Sequence, residues 1–274
     1  MAWAFGEPEH GRAPNRSLLE PGEGRGKPAY RRRVVLENLH PAVAAVVGLV
    51  GCVILSAAVL MVLGLLMVHF GAHDRLGHWD EHVNQWFAGH RAARWDRLSG
   101  DFTVLADTTG ILAVATLVTV LLLLRRWGRF AWLLAAGLAV ELTVFLASNY
   151  TVRRPRPSVA HLGSTPSTSS WPSGHVAATT VLYGGIAVLV MVATSRRLPR
   201  LAGWAVAVAL IACVALSRIY RGEHHPIDTI AGLALGAAAL YSAIFVVRVW
   251  SGHRGRPARR GSPPTLVGSN RRAP

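Results

Sequence analysis

Six apolar blocks, separated by short stretches that hold nearly all the charge, constrain this chain more than any other feature. They lie near residues 41–70, 103–124, 130–149, 172–194, 201–216 and 228–247. A run of about 20 apolar residues is what an α-helix needs to cross a bilayer; the first block exceeds that and the fifth is short. The composition agrees. Only 16% of the 274 residues are charged and the mean hydropathy is +0.34, against roughly a quarter charged in a soluble domain. The expected fold is therefore all-α, six transmembrane helices in one bundle over 41–248. The polar tails 1–40 and 249–274 are expected to be disordered and cytoplasmic.

A formal net charge of +15 would suit a nucleic-acid partner, but the arginines are placed otherwise. They cluster at Arg31–Arg33, at Arg125, Arg126 and Arg129, at Arg196, Arg197 and Arg200, and from Arg248 to Arg272. Each cluster abuts an apolar block, as topology-setting cytoplasmic charge does. Membrane lipids, and no nucleic acid, are the expected partners. With both termini inside, every cluster falls inside and the loops near 71–102, 150–171 and 217–227 face outward. The polar start of the chain predicts no cleaved signal peptide. Cys52 and Cys213 lie within apolar blocks and offer neither a disulfide framework nor a CxxC metal site.

Two outward loops hold the dense polar chemistry. The loop after the third block carries Arg153, Arg154 and Arg156 against the positive-inside rule. Guanidinium forks suit phosphate oxygens, either of a bound substrate or of lipid headgroups. "WPSGH" then opens the fourth block. Pro172 suits a first helical position, and the amides of Ser173, Gly174 and His175 would form an anion-binding helix N-terminus; a plain cap at Ser173 is the alternative. In "SRIYRGEHHPID" (217–228), Pro226 opens the last helix and Asp228 can reach back toward His224 over about one turn. A carboxylate there fixes the imidazole tautomer and frees the other nitrogen to attack, or merely complements the helix dipole. A metal held by His175, His224, His225 and Asp228 lacks any recognised zinc spacing, so no metal or other cofactor is expected. The 71–102 loop, with Trp79, Trp86 and Trp95, is expected to lie at the interface as an amphipathic connector. Glu141 is an intramembrane acid, a functional candidate by position. Gly232 and Gly236 form a GxxxG expected to serve close helix packing.

These motifs resemble those of the type 2 phosphatidic acid phosphatase (PAP2) superfamily: KxxxxxxRP, PSGH and SRxxxxxHxxxD. The second is intact as Pro172-Ser173-Gly174-His175, and the third as Ser217-Arg218, His224 and Asp228. The resemblance covers about 71–247. It implies that His224, not His225, is a nucleophile forming a phosphohistidine, that Asp228 orients it and that His175 protonates the leaving group. Arg156, Arg218, Ser173 and the Gly174 amide would hold the phosphate, without metal. The first motif departs: counting back from Arg156-Pro157, its lysine position is Asn149. An amide can donate a hydrogen bond but carries no charge, and Arg153 or Arg154 is a candidate to compensate.

The function these residues suggest is a metal-independent membrane lipid phosphatase facing outward from the cell membrane. Polyprenyl pyrophosphate is the favoured substrate, with phosphatidic acid and phosphatidylglycerol phosphate as close rivals. A phosphotransferase using the same intermediate and a non-catalytic lipid-phosphate binder are the alternatives. No oligomeric state is legible.

Overall fold

The computed structural model describes residues 41–71, 74–163 and 168–254. The expected tail over 1–40 lies outside them, as does most of the tail expected from 249. Eight helices follow one another among the described residues: α1 (Pro41–His69), α2 (Arg75–Gly89), α3 (Ala93–Ala106), α4 (Thr108–Leu124), α5 (Gly128–Val152), α6 (Gly174–Ala193), α7 (Arg197–Tyr220) and α8 (Pro226–Arg254). Five of them, α1, α5, α6, α7 and α8, are each long and apolar enough to cross a membrane. The pair α3 and α4, bent by 52° at Asp107, passes the same test when taken together and makes a sixth candidate span. The all-α, multi-pass architecture expected from the apolar blocks is the one observed.

Boundaries moved where polar residues sit inside helices. The fifth block is not short: α7 runs on to Tyr220 because Ser217, Arg218 and Tyr220 find buried partners. Pro172 is not the first residue of its helix, since α6 starts at Gly174 with Ser173 as N-cap. Pro226 does open α8, as its fixed φ favours. α8 continues to Arg254, past the position where the basic tail was expected to begin.

The centre of the bundle is α5, α6 and α8. Leu133, Leu134, Leu182, Leu240 and Ala243 are buried together in its inner half, and Val144, Val181, Leu235 and Ala239 nearer the polar end. Helices in lipid gain little from burying apolar area against each other, so small residues that permit close approach matter more. Gly232 and Gly236 act in this way on α8. A Cβ on Gly232 would strike the Ser173 carbonyl oxygen, and one on Gly236 would lie 2.6 Å from that of Ala177. The GxxxG is thus a seam between α8 and the start of α6. α1 lies outermost, with most of its side chains exposed for lipid contact.

The 71–102 segment forms two helices, α2 and α3. Asp74 caps α2, accepting from the amides of Leu76 (2.9 Å) and Gly77 (3.0 Å). Trp79, Trp86 and Trp95 are all about half exposed, as interfacial aromatics are. The other face of α2 is turned inward, with Asp80 and Asn84 buried. Along α3, Ser99 and Thr103 bond to Ser217 of α7 (2.6 and 2.8 Å), and Asp96 accepts from Tyr220 (2.6 Å).

Gly232→Ala should separate α8 from the start of α6 and destabilise the protein by about 1–3 kcal/mol, the usual cost of overpacking. Thermal unfolding in detergent checks this; an unchanged midpoint would refute the seam.

Candidate active site

The C-terminal ends of α5 and α7 and the N-terminal ends of α6 and α8 converge with the loops that join them, at the end opposite Arg125, Arg126, Arg196 and Arg197. A cavity of about 270 Å³ opens there. Its polar end is lined by Arg156, Thr168, Ser169, Gly174, His175, Arg218 and His224; its deeper wall by Ile111, Leu112, Leu138, Glu141, Leu142 and Phe145.

His224 is buried in the turn between α7 and α8. Its Nδ1 lies 2.7 Å from the Ser170 carbonyl oxygen. A carbonyl only accepts, so the hydrogen is on Nδ1 and the lone pair on Nε2, which has no partner among the described residues. Burial pushes the imidazole well below its ordinary pKa, and the nearby guanidinium groups of Arg218 and Arg156 push the same way. The ring is therefore neutral, with one nitrogen free. His225 differs in kind: its Nδ1 faces Asp228 Oδ2 (3.1 Å) and its Nε2 faces Glu81 Oε2 (3.2 Å).

Asp228 does not bond to His224; its Oδ2 stands 3.9 Å from Nδ1. That oxygen accepts from the backbone N–H (2.9 Å) and ring of His225, and Oδ1 accepts from Arg154. The backbone of Ser170 takes the orienting part expected of Asp228. The carboxylate instead shapes the turn that presents His224.

Arg154 was a candidate for the missing lysine, and its placement corrects that expectation. It is buried and absent from the cavity wall, with its guanidinium between Asp228 and Asp80 (Nη2–Oδ2 2.6 Å). Burial favours its neutral form, but the charge of Asp228 and the hydrogen bond to Asp80 outweigh that and hold it more firmly protonated than usual. Arg153 occupies a left-handed C-cap of α5 and donates to Tyr150 O (3.2 Å).

Asn149 is likewise absent from the cavity wall. Its amide nitrogen donates to Ser169 O (2.8 Å) and Trp171 O (3.4 Å), the carbonyls on either side of Ser170. The residue at the lysine position thus fixes the peptide whose own carbonyl holds His224.

Arg156 and Arg218 do face the cavity. Each lies 3.5 Å from Glu223 Oε2, which holds the two like charges side by side. Arg156 is steadied further by Glu223 O (2.7 Å) and Thr168 O (3.3 Å). The Ser173 amide is committed to Asp228 O (3.0 Å), and its buried hydroxyl has no hydrogen-bond partner among the described residues. The open amides of the α6 N-terminus are therefore those of Gly174, His175 and Val176. His175 Nε2 donates to Asp107 Oδ1 (2.9 Å) at the bend between α3 and α4. Asp107 caps α4 by position yet makes no side-chain cap bond.

Sequence reasoning missed Asp107, Glu223, Ser170 and the α2 residues Asp80, Glu81 and Asn84. Asp80 also accepts from the Ile227 amide (3.0 Å), and Asn84 donates to Ile219 O (3.1 Å) and His224 O (3.0 Å). Their four-residue spacing on one helical face was the available signal. Asp107 gave none, because its partner is distant in the chain.

Fold and site together define a multi-pass membrane protein with a basic, histidine-bearing pocket at one end of its bundle. Residues 130–252 match the family model of the PAP2 superfamily. Decaprenylphosphoryl-5-phosphoribose phosphatase of Mycobacterium tuberculosis, found in two strains, is 39% identical over 113 residues. That match covers 40% of this chain and 57% of the relatives' own length. The crystal structure of a transmembrane PAP2-type phosphatidylglycerolphosphate phosphatase from Bacillus subtilis is similar in fold. Its TM-score is 0.61 at 19% identity, over 74% of this chain and 99% of that one.

Nitrogen NMR of labelled histidine should show His224 in the Nδ1–H neutral form as pH falls through 6.5, the ordinary histidine value, because its folded-state pKa is lowered. Removing a charge by Arg218→Ala should bring its protonation nearer 6.5. Protonation of wild-type His224 at or above 6.5 would overturn the assignment.

Proposed function

We propose that this protein is a membrane phosphatase that hydrolyses a phosphate ester of a lipid through a phosphohistidine on His224. The observation that carries the reading is the Ser170 carbonyl on Nδ1, which leaves Nε2 unprotonated beside two guanidinium groups. Nε2 attacks phosphorus as the bond to the lipid oxygen breaks. Arg156, Arg218 and the amides of Gly174 and His175 spread the charge on the non-bridging oxygens. The departing oxygen takes a proton from a ring nitrogen of His175 in its doubly protonated form, which Asp107 aligns, and the ring is left neutral. Water then gives a proton to that nitrogen and attacks phosphorus, the N–P bond breaks, and phosphate leaves with His224 restored.

A lipid substrate is supported by the shape of the cavity. Its polar end is at the mouth of the cavity, and its apolar wall includes Leu112 and Leu142, both more than half exposed. A tail can stay in the bilayer while the phosphate reaches His224. The arginine clusters support an outward-facing site in the cell membrane with both ends of the chain cytoplasmic. Nucleophile, proton donor and phosphate clamp are all protein groups, which favours a metal-independent reaction. The mycobacterial relatives support a prenyl-linked phosphate among lipid substrates.

Purified protein in detergent with EDTA should release phosphate from a lipid in a panel of polyprenyl, phosphoribosyl and glycerol phosphates. His224→Ala should lower the rate by about a thousandfold, as loss of a nucleophile does. Undiminished release by that variant contradicts the reading. Asn149→Lys should cost about tenfold, since it unpins the Ser169–Trp171 backbone; a gain would mean that the position needs charge after all.

A further inference from the structure

Phosphoryl transfer as described uses only the mouth of the cavity. Deeper in, Glu141 is left unused. It lies on α5, is 5% exposed and lines the cavity beside Leu138, Leu142 and Ile111. Its carboxyl makes no hydrogen bond or ion pair with any described residue. A buried polar group without a partner costs free energy, and an acid within a membrane span seldom persists without a use.

Its depth is set by the helix. A Cβ on Gly174 would lie 2.9 Å from the Phe145 ring, so Phe145 underlies the start of α6 beside His175. Glu141 is one turn earlier on α5, about 6 Å further from the mouth at 1.5 Å per residue. It therefore faces whatever joins the scissile phosphate to the lipid tail, not the phosphate itself. The cations are elsewhere: Arg154 is held by Asp80 and Asp228, and Arg156 and Arg218 are at the mouth beside Glu223. A second phosphate at this depth would meet a carboxyl and an apolar wall. A hydroxyl suits the carboxyl in either protonation state, donating to its oxygens or accepting from its O–H.

We propose that Glu141 binds a hydroxyl of the group between phosphate and tail, so that the cavity selects phosphate monoesters carried on a sugar or other polyol. This rests on the lipid-phosphatase reading of the same cavity and goes beyond it in naming the class of linker. It also ranks a diphosphate below a sugar-borne monoester, reversing the order drawn from the sequence.

The test is binding in nanodiscs, with phosphonate analogues that cannot be hydrolysed. One carries its phosphonate on a ribose joined directly to the tail by an ether bond; the other is its counterpart lacking the ring hydroxyls. Wild-type protein should bind the hydroxylated lipid about tenfold more tightly, a hydrogen bond's worth. Glu141→Leu should abolish that preference by weakening the hydroxylated lipid alone, while Glu141→Gln keeps most of it. No preference in wild type, or equal weakening of both lipids by Glu141→Leu, overturns the proposal. Phosphate release from the matching hydrolysable ribose-phosphate lipid by the same wild-type sample reports separately. Preference without turnover would keep the hydroxyl contact and reject the phosphatase; turnover without preference would do the reverse.

Discussion

The site depends on one buried charge. Arg154 reaches inward from the end of α5 and is clasped by Asp228 of α8 and Asp80 of α2. A guanidinium out of water is tolerable only when its donors meet acceptors, and removing one partner of such a pair typically costs about 3–5 kcal/mol. Both acids hold main chain as well. Asp80 accepts from the Ile227 amide and Asp228 from the His225 amide. The cluster therefore fixes the turn before α8 to α2 and to the end of α5. The backbone of His224 is carried by that turn and is held from the other side by Asn84.

Positive charge in the site is divided between two tasks. Arg154 is structural, saturated by two carboxylates. Arg156 and Arg218 stand at the cavity, their mutual repulsion offset by Glu223. An incoming phosphate would offer them stronger, charge-assisted bonds. The same guanidinium groups act on His224: they oppose a second proton on its ring, so its lone pair survives in a setting rich in positive charge. A buried, basic pocket thus suits an anion and keeps an imidazole neutral by one electrostatic arrangement.

The bundle was legible because hydropathy and arginine placement act over whole segments. Helix ends were less so: Pro172 falls outside α6 because Ser173 and Gly174 make the cap. Local chemistry was readable where spacing implies contact, as with Pro226 and Asp228 in the first turn of α8 and Gly232 and Gly236 at its seam. It failed where chemistry depends on the fold. Asp107 bonds to His175 only because α3 and α4 bend at that residue. Asn149 could not be read as a backbone clamp, because its partners form a loop that returns from the far side of Arg156. Nor could the sequence reveal that Ser170, through a carbonyl every residue carries, would take the place given to Asp228.

The central claim is that a nitrogen of His224 becomes covalently phosphorylated. The most direct measurement is to mix the protein with a lipid bearing a labelled terminal phosphate, quench in alkali during turnover and map the label by peptide. The account predicts an acid-labile, alkali-stable label on His224. A label on His225, or none on any residue while phosphate is still being released, would contradict it.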